Sequence, residues 1–195
     1  MIITTIQIPK ITEQEIVHLN PFFLEEDIQK IQQSITKINK KRSRTKLKKH
    51  LISLFDPHLF QHNIYLKNEF EIINFLGEKL VQLGFIEKGG IDDIIEREKM
   101  SSTSFNNNVA VPHSMQMNAL KSAISIVLND NPVNWGNNSV QIIALIALNK
   151  DERNIFRDIY DSFIKILSEP ENVYLLLKSK NYDVFINSLL SLMEE

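Results

Sequence analysis

The run Val140–Leu148, VQIIALIAL, most constrains how this chain folds, because every residue in it except Gln141 is apolar. A strand with one face in water alternates apolar and polar residues, whereas a nearly unbroken apolar strand is buried on both faces. The run is far shorter than the roughly 20 residues that cross a bilayer as a helix. It therefore predicts the central strand of a sheet that helices cover on both sides.

The composition indicates a globular protein. Hydrophobic residues make up 43% of the 195 positions and charged residues 24%, which fits one domain, or one domain with an appendage. A net charge of −2 at pH 7 gives no overall field that would attract nucleic acid. The N-terminal residues MIITTIQIPK lack the basic and apolar regions of a signal peptide, so we expect a cytoplasmic protein without membrane contact.

Hydrophobic periodicity and turn residues divide the chain after residue 60 into strands and helices. We predict a strand at 64–67, helices at 69–83 and 91–100, a mostly loop segment at 101–108, strands at 109–111, 122–128 and 140–148, and helices at 151–167, 170–179 and 181–193. The turn-rich sequence NDNPVNWG separates the last two strands. This order is typical of an α/β fold in which a mixed sheet is flanked by helices, an α/β sandwich.

The N-terminal third reads differently. Residues 2–8, IITTIQI, predict one strand that has no obvious partner before residue 64. A helix is predicted from Leu24 to about Ile38, and a second helix begins near Leu47. Asp56-Pro57 would end that second helix, which places the main domain boundary near residue 60.

A basic run lies between these two predicted helices. Residues 37–49, KINKKRSRTKLKK, contain eight Lys or Arg and no acid. The run is either a solvated linker and helix face or a contact for acidic protein or nucleic acid. No aromatic residue is interleaved with the charges, which weakens the nucleic-acid interpretation, so we expect no direct nucleic-acid binding.

The residue inventory excludes several kinds of site. The chain has no cysteine, so disulfides, thiolate catalysis and cysteine metal sites are excluded. His58 and His62 have a metal-like spacing, but no third ligand follows, and we expect an ordinary connector with no metal. The five glycines are scattered and no GxSxG is present, so neither a phosphate loop nor a nucleophile elbow is expected; no cofactor is implied.

His113 is the remaining candidate. It follows the predicted strand 109–111 directly, after Pro112. The proline fixes its own φ and biases Val111 towards extended backbone, so the strand ends and the next side chain is presented at the end of the sheet. Ligands collect at strand ends in α/β folds, and a neutral imidazole is a nucleophile that can accept a phosphoryl group. The alternative is that His113 is an ordinary loop residue.

The segment EREKMSSTSFNNNVAVPHS, residues 96–114, closely resembles the active-site segment of the EIIA domain, fructose/mannitol type, of the bacterial sugar phosphotransferase system. The matching parts are the Glu-Arg-Glu at 96–98, the Ser-Ser-Thr at 101–103 and the strand that closes on Pro112-His113. NPVNWG before VQIIALIAL also resembles that family. The likeness covers about residues 62–193 and implies the mannitol/fructose EIIA-like sandwich.

The resemblance also implies roles for individual residues. His113 would accept a phosphoryl group from the small histidine phosphocarrier protein, and Arg97 would neutralise phosphate charge; otherwise Arg97 is an exposed ion-pairing residue. Ser102 and Thr103 would supply hydroxyl or backbone donors to the phosphate, or serve as loop caps. Many transport EIIA domains carry a second histidine early in the helix after the central strand, where this chain has Arg153 or Asn154. The Arg153 cation would still bind the phosphate, but it could not share a proton as imidazole does.

Three functions remain open on these grounds. Residues 20–60 resemble the connector before the EIIA-like domain of PRD-containing transcriptional antiterminators and activators, which favours a phosphoryl-accepting regulatory domain. Residues 1–19 would then be the tail of a truncated upstream EIIB-like domain, and residues 61–195 the EIIA type-2-like domain. The alternatives are a transport EIIA component that passes phosphate to an EIIB cysteine, and a protein interaction module that is not phosphorylated. An EIIB-like domain, in cis or in trans, is an expected partner.

Overall fold

The computed structural model describes residues 1–9, 14–105 and 107–193, apart from the side chains at 47, 155 and 158. Within this part, the chain forms two units, Met1–Leu47 and Lys48–Glu195. No described helix is both long and apolar enough to pass through a bilayer. Positions 10–13 of the predicted tail, position 106 of the predicted loop and the last two positions of the predicted EIIA-like domain lie outside the described residues.

The first unit contains a small parallel sheet and the greater part of a long helix. Strand β1 (Ile2–Thr4) lies within the predicted strand 2–8 but is shorter, and it pairs with strand β2 (Ile16–His18), a partner that was not predicted. Helix α1 (Glu25–Leu54) is continuous through the basic run, and the predicted break before Leu47 is absent. Its 30 residues include no Gly or Pro, and Lys and Arg are good helix formers, so nothing in the run interrupts the helix.

The second unit is built on a five-stranded mixed sheet. Its elements are β3 (Phe55–His62), α2 (Glu69–Gln82), α3 (Gly89–Met100), β4 (Ser104–Phe105), β5 (Val109–Ala110), β6 (Asn118–Trp135), β7 (Asn138–Asn149), α4 (Arg153–Ser168), α5 (Pro170–Leu177) and α6 (Tyr182–Leu192). The sheet order is β3-β6-β7-β5-β4. β6 and β7 are antiparallel, whereas β3 runs parallel to β6 and β5 parallel to β7. This confirms the predicted mixed sheet flanked by helices.

The apolar run lies in β7, whose residues 142–147 are all buried between β6 and β5. The turn-rich sequence at 129–136 was predicted to separate the two strands, but its residues up to Trp135 belong to β6. A register irregularity between Leu128 and Val133 takes up the extra residues. The hairpin then turns at Gly136, whose φ of 56° is readily adopted by glycine.

Two strand predictions need correction. The predicted strand at 64–67 has no strand structure; the edge strand is β3, which begins directly after α1 and contains Pro57. Proline is tolerated there because β3 is an edge strand and its pairing with β6 is irregular between Phe55 and Phe60. The predicted loop 101–108 contains the short strand β4, which pairs with β5.

Helix boundaries agree closely with the sequence pattern. The side chain of Asn68 accepts a hydrogen bond from the Glu71 N–H and caps α2, and Gly84, with φ 74°, follows its C-terminus. Asn181 caps α6 in the same way through the Val184 N–H. A short 3-10 turn at Lys150–Glu152 leads from β7 into α4. The candidate arginines lie on two other helices, Arg97 on α3 and Arg153 on α4.

Candidate functional site

His113 lies just beyond the end of β5 and beside β7. β5 pairs in parallel with β7 through Val109 and Ile142, and His113 forms an isolated bridge to Ile146 in the same register. Pro112 has no N–H to donate, but its carbonyl accepts the Ile146 N–H at 2.9 Å. The segment is therefore held against the central strand up to the histidine.

A backbone hydrogen bond fixes the tautomer of the His113 ring. Its Nδ1 is 2.9 Å from the Val111 carbonyl oxygen. A carbonyl oxygen only accepts hydrogen bonds, so in the neutral ring the proton is on Nδ1 and the lone pair is on Nε2. The ring is half-buried and borders a pocket. The geometry thus leaves Nε2 as the nucleophilic atom of His113.

The pocket beside His113 has a volume of about 480 Å³ and is cationic. Arg97 reaches it from α3, and Arg153 and Arg157 from α4. No Asp or Glu is among the described residues that line it, and none of these guanidinium groups forms an ion pair within the described chain. The structure therefore brings together three of the predicted site residues, His113, Arg97 and Arg153, without a carboxylate.

Arg97 is oriented by the loop that follows α3. Its Nη1 donates a hydrogen bond of 2.7 Å to the Ser101 carbonyl oxygen, which leaves most of the five guanidinium N–H groups to other partners. Across the pocket, burial raises the pKa of Tyr160 in α4, and the Arg97 cation partly opposes that shift. Arg97 is thus near enough to α4 to act on a group there.

A sequence profile of the "Phosphoenolpyruvate-dependent sugar phosphotransferase system, EIIA 2" family matches residues 53–191. The chain belongs to this family.

Relatives and solved structures agree with this assignment. The probable licABCH operon regulator of Bacillus subtilis is 31% identical over 97% of this chain, and transcriptional regulator ManR of the same organism is 23% identical over 97%. The chain spans only 29% of the length of each regulator. A solved complex of Escherichia coli mannitol enzyme IIA with phosphorylated enzyme IIB contains a similar fold, with TM-score 0.61, 20% identity, and coverage of 71% of this chain and 99% of that one.

In this EIIA 2 domain, two predicted phosphate-binding residues are not in the pocket. Thr103 is buried, and its hydroxyl donates a 2.7 Å hydrogen bond to the Glu98 carboxylate. The Ser102 hydroxyl is 2.8 Å from the Ser104 hydroxyl, and Ser102 does not line the pocket. Both residues organise the loop after α3 instead of contacting the space beside His113.

The organising group of that loop is Glu98, which sequence analysis did not single out beyond its place in the Glu-Arg-Glu motif. Its carboxylate is buried and accepts three hydrogen bonds, from the Thr103 N–H at 2.8 Å, the Thr103 hydroxyl and the Trp135 indole N–H at 2.7 Å. These bonds tie the end of α3 to the β6–β7 hairpin. Arg97 is the residue before Glu98, so the same bonds position the arginine.

Arg157 and Tyr160 were also missed, although a signal was present. Arg157 follows Arg153 by four residues, and side chains at this spacing lie on one face of a helix. Tyr160 follows one turn later and packs against Phe156, with ring centroids 5.4 Å apart. The predicted α4 periodicity would have placed all of them on neighbouring positions of the helix surface.

The His58 and His62 pair lies on strand β3, not on a helix. His58 is exposed, and its Nδ1 is 2.9 Å from Asp56, while the Nε2 of His62 is 4.0 Å from Asp130. The two rings therefore have different neighbours. Among the described residues, no group of three or more His, Asp or Glu could hold a metal ion.

Proposed function

We propose that this EIIA 2 domain is the phosphoryl-accepting regulatory domain of a sugar-responsive transcriptional regulator, and that Nε2 of His113 is the acceptor. The observation that carries the proposal is the hydrogen bond from Nδ1 to the Val111 carbonyl beside a pocket lined by three guanidinium groups, none of which forms an ion pair with a described side chain. That bond directs the lone pair to Nε2, and the guanidinium groups suit a dianion.

The chemical step is a transfer from one imidazole to another. The Nε2 lone pair attacks the phosphorus of a phosphorylated histidine phosphocarrier protein, and the P–N bond of the donor breaks, leaving its electron pair on the donor nitrogen. The proton on Nδ1 of His113 stays in place. As the ring gains positive charge, its hydrogen bond to the Val111 carbonyl becomes charge-assisted and stronger.

Arg97 and Arg153 support the product of this step. A phosphoryl group adds roughly −2 charge and three acceptor oxygens, and guanidinium groups bind such oxygens in bidentate fashion. Both arginines line the pocket with His113. We infer that they neutralise the phosphohistidine. For Ser102 and Thr103 we propose only a role in supporting the loop, since their hydroxyls have other partners.

Arg153 also bears on the choice between regulation and transport. A guanidinium stays protonated at physiological pH, so it holds a phosphate but cannot share a proton as imidazole does. This favours a domain that keeps the phosphoryl group as a signal over one that relays it rapidly. The two regulators similar to nearly all of this chain support the same choice.

An EIIB-like domain is the proposed second partner. A domain of similar fold is seen with phosphorylated enzyme IIB in the mannitol system. In a regulator, such a domain would lie in the same chain or in a separate component. The same likeness favours the second candidate function, an EIIA component that passes its phosphate to an EIIB cysteine.

A label-and-chase experiment tests the proposal. The chain is incubated with phosphoenolpyruvate, the first enzyme of the system and the phosphocarrier protein, and the label is located by ³¹P–¹⁵N NMR. We expect an acid-labile label on Nε2 of His113 that persists after an EIIB domain is added. Rapid delivery to EIIB would favour transport, and the absence of any label would leave only an interaction module.

The basic run is expected to be irrelevant to this reaction. Lys40, Lys41 and Lys46 are exposed on α1, and none of them is in the pocket beside His113. Replacing all three by Gln should leave the initial rate of His113 labelling within about a factor of two of wild type, because exposed charges contribute little. The rate is measured at two ionic strengths. A large decrease would reassign the run to docking of the phosphocarrier protein.

A further inference from the structure

Arg157 is the third guanidinium of the pocket and has no assigned role. It lies one helical turn after Arg153 on α4, and both side chains line the pocket beside His113. Both are exposed, and neither forms an ion pair within the described part of the chain. Two unpaired cations four residues apart repel each other, which makes an anion between them favourable.

The charge of the expected product requires more than Arg97. One N–H group of Arg97 donates to the Ser101 carbonyl, which holds the Arg97 guanidinium on the α3 side of the pocket. A phosphoryl group carries up to two negative charges and three oxygens, which one guanidinium neither neutralises nor saturates. Cations from α4 face the same space from the other helix, and they complete the set of donors.

We propose that Arg157 and Arg153 together form a phosphate-binding arm on α4, which contacts the phosphoryl group on His113 from the side opposite Arg97. This inference rests on the proposed function, since it needs His113 to be phosphorylated. An arm that contacts only the phosphorylated product shifts the equilibrium of transfer towards that product. Arg157 is thus a phosphate-binding residue that makes the phosphorylated state of the domain persist.

The equilibrium constant of transfer is the quantity that tests this. The chain and the phosphocarrier protein are brought to equilibrium, and the phosphorylated fraction of each is measured by ³¹P NMR. For Arg157→Gln we expect the equilibrium to move about fivefold towards the carrier. This is the effect of losing one charge-assisted hydrogen bond that solvent exposure has weakened. Lys165→Gln removes the same charge from an exposed position of α4 outside the pocket and should leave the constant unchanged.

The equilibrium constant separates phosphate binding from partner docking. Docking alters the rates of transfer in both directions equally, whereas a contact with the phosphoryl group alters their ratio. A slower rate with an unchanged ratio in Arg157→Gln would assign Arg157 to docking and overturn the proposal. Arg157→Lys keeps the positive charge but loses the planar guanidinium that binds phosphate through two hydrogen bonds, and we expect an intermediate shift of the equilibrium constant. Circular dichroism melting of each variant excludes loss of folding as the cause.

Inorganic phosphate gives a test that does not depend on labelling. Titration of the unphosphorylated chain, followed by NMR shifts of pocket residues, should show weaker phosphate binding for Arg157→Gln by about fivefold and no change for Lys165→Gln. If the wild-type chain takes no label, the proposed function fails, and the titration still shows separately whether Arg157 contributes to phosphate binding in this pocket. Equal phosphate affinity in Arg157→Gln and wild type would overturn it.

Discussion

Replacing His113 by Gln should abolish phosphorylation of this domain. Glutamine preserves the approximate size of the side chain, but it has no nucleophilic lone pair equivalent to Nε2. We expect incorporation of label to fall below about one-thousandth of the wild-type rate, since loss of a nucleophile typically costs at least that factor. The measurement is ³²P transfer from phosphoenolpyruvate through the phosphocarrier protein.

A matched histidine variant controls for unspecific effects. His58 is exposed on the edge strand β3 and its ring is bonded to Asp56, away from the pocket beside His113. His58→Gln should therefore be labelled at the wild-type rate. Label retained in His113→Gln would contradict the assignment of Nε2 as the acceptor. So would an acid-stable label, because phosphate esters of serine, threonine and tyrosine survive acid.

The sequence pattern was sufficient for the parts of this site that local chemistry determines. A proline after an apolar strand both ends the regular strand and leaves the next side chain at its end. The position of His113 at the end of β5 could therefore be predicted from residues 109–112. The same holds for β7, because a strand with no polar alternation has to be buried on both faces. The caps at Asn68 and Gly84 likewise act within one turn of the helix.

The missed features depend on contacts between distant segments. β2 pairs with a strand 14 positions earlier, from Ile2 to Ile16, and the three residues of β2 are too few to show a pattern. Glu98 and Trp135 are 37 residues apart, and only the folded hairpin brings the indole N–H to the carboxylate. Thr103 was predicted from the family resemblance either to bind phosphate or to cap the loop, and its hydrogen bond to Glu98 is a property of the folded loop that the sequence does not show. The position of Arg157 beside Arg153, by contrast, could have been predicted from helical spacing, but Arg157 was not among the predicted site residues.

Removing the carboxylate of Glu98 should cause the largest loss of stability among the changes considered. In Glu98→Ala, three donors lose their acceptor, and one of them, the Trp135 indole N–H, belongs to a side chain with 0% exposure. Each buried donor without a partner costs about 1–3 kcal/mol, so we expect a loss of about 4 kcal/mol in the free energy of unfolding. The melting temperature, followed by circular dichroism, should fall by roughly 10 °C.

Two further variants distinguish the hydrogen bonds from the charge. In Glu98→Gln, the amide oxygen can occupy the position of Oε1 and accept from Trp135 and the Thr103 N–H, while the Thr103 hydroxyl can rotate to accept from the amide nitrogen. All three contacts then persist, and we expect a cost of only about 1 kcal/mol. Glu96→Ala, which loses only an exposed pair with Lys99, should change stability by less than about 0.5 kcal/mol.

The same series reports on the phosphorylation site. Glu98 anchors the loop whose Ser101 carbonyl orients Arg97, so Glu98→Ala should slow labelling of His113 even at a temperature where the domain is folded. Glu98→Gln keeps the loop tied to Trp135 and should be labelled at nearly the wild-type rate. If Glu98→Gln were as unstable as Glu98→Ala, the negative charge itself would be what holds the end of α3, and the hydrogen-bond account of this loop would be wrong.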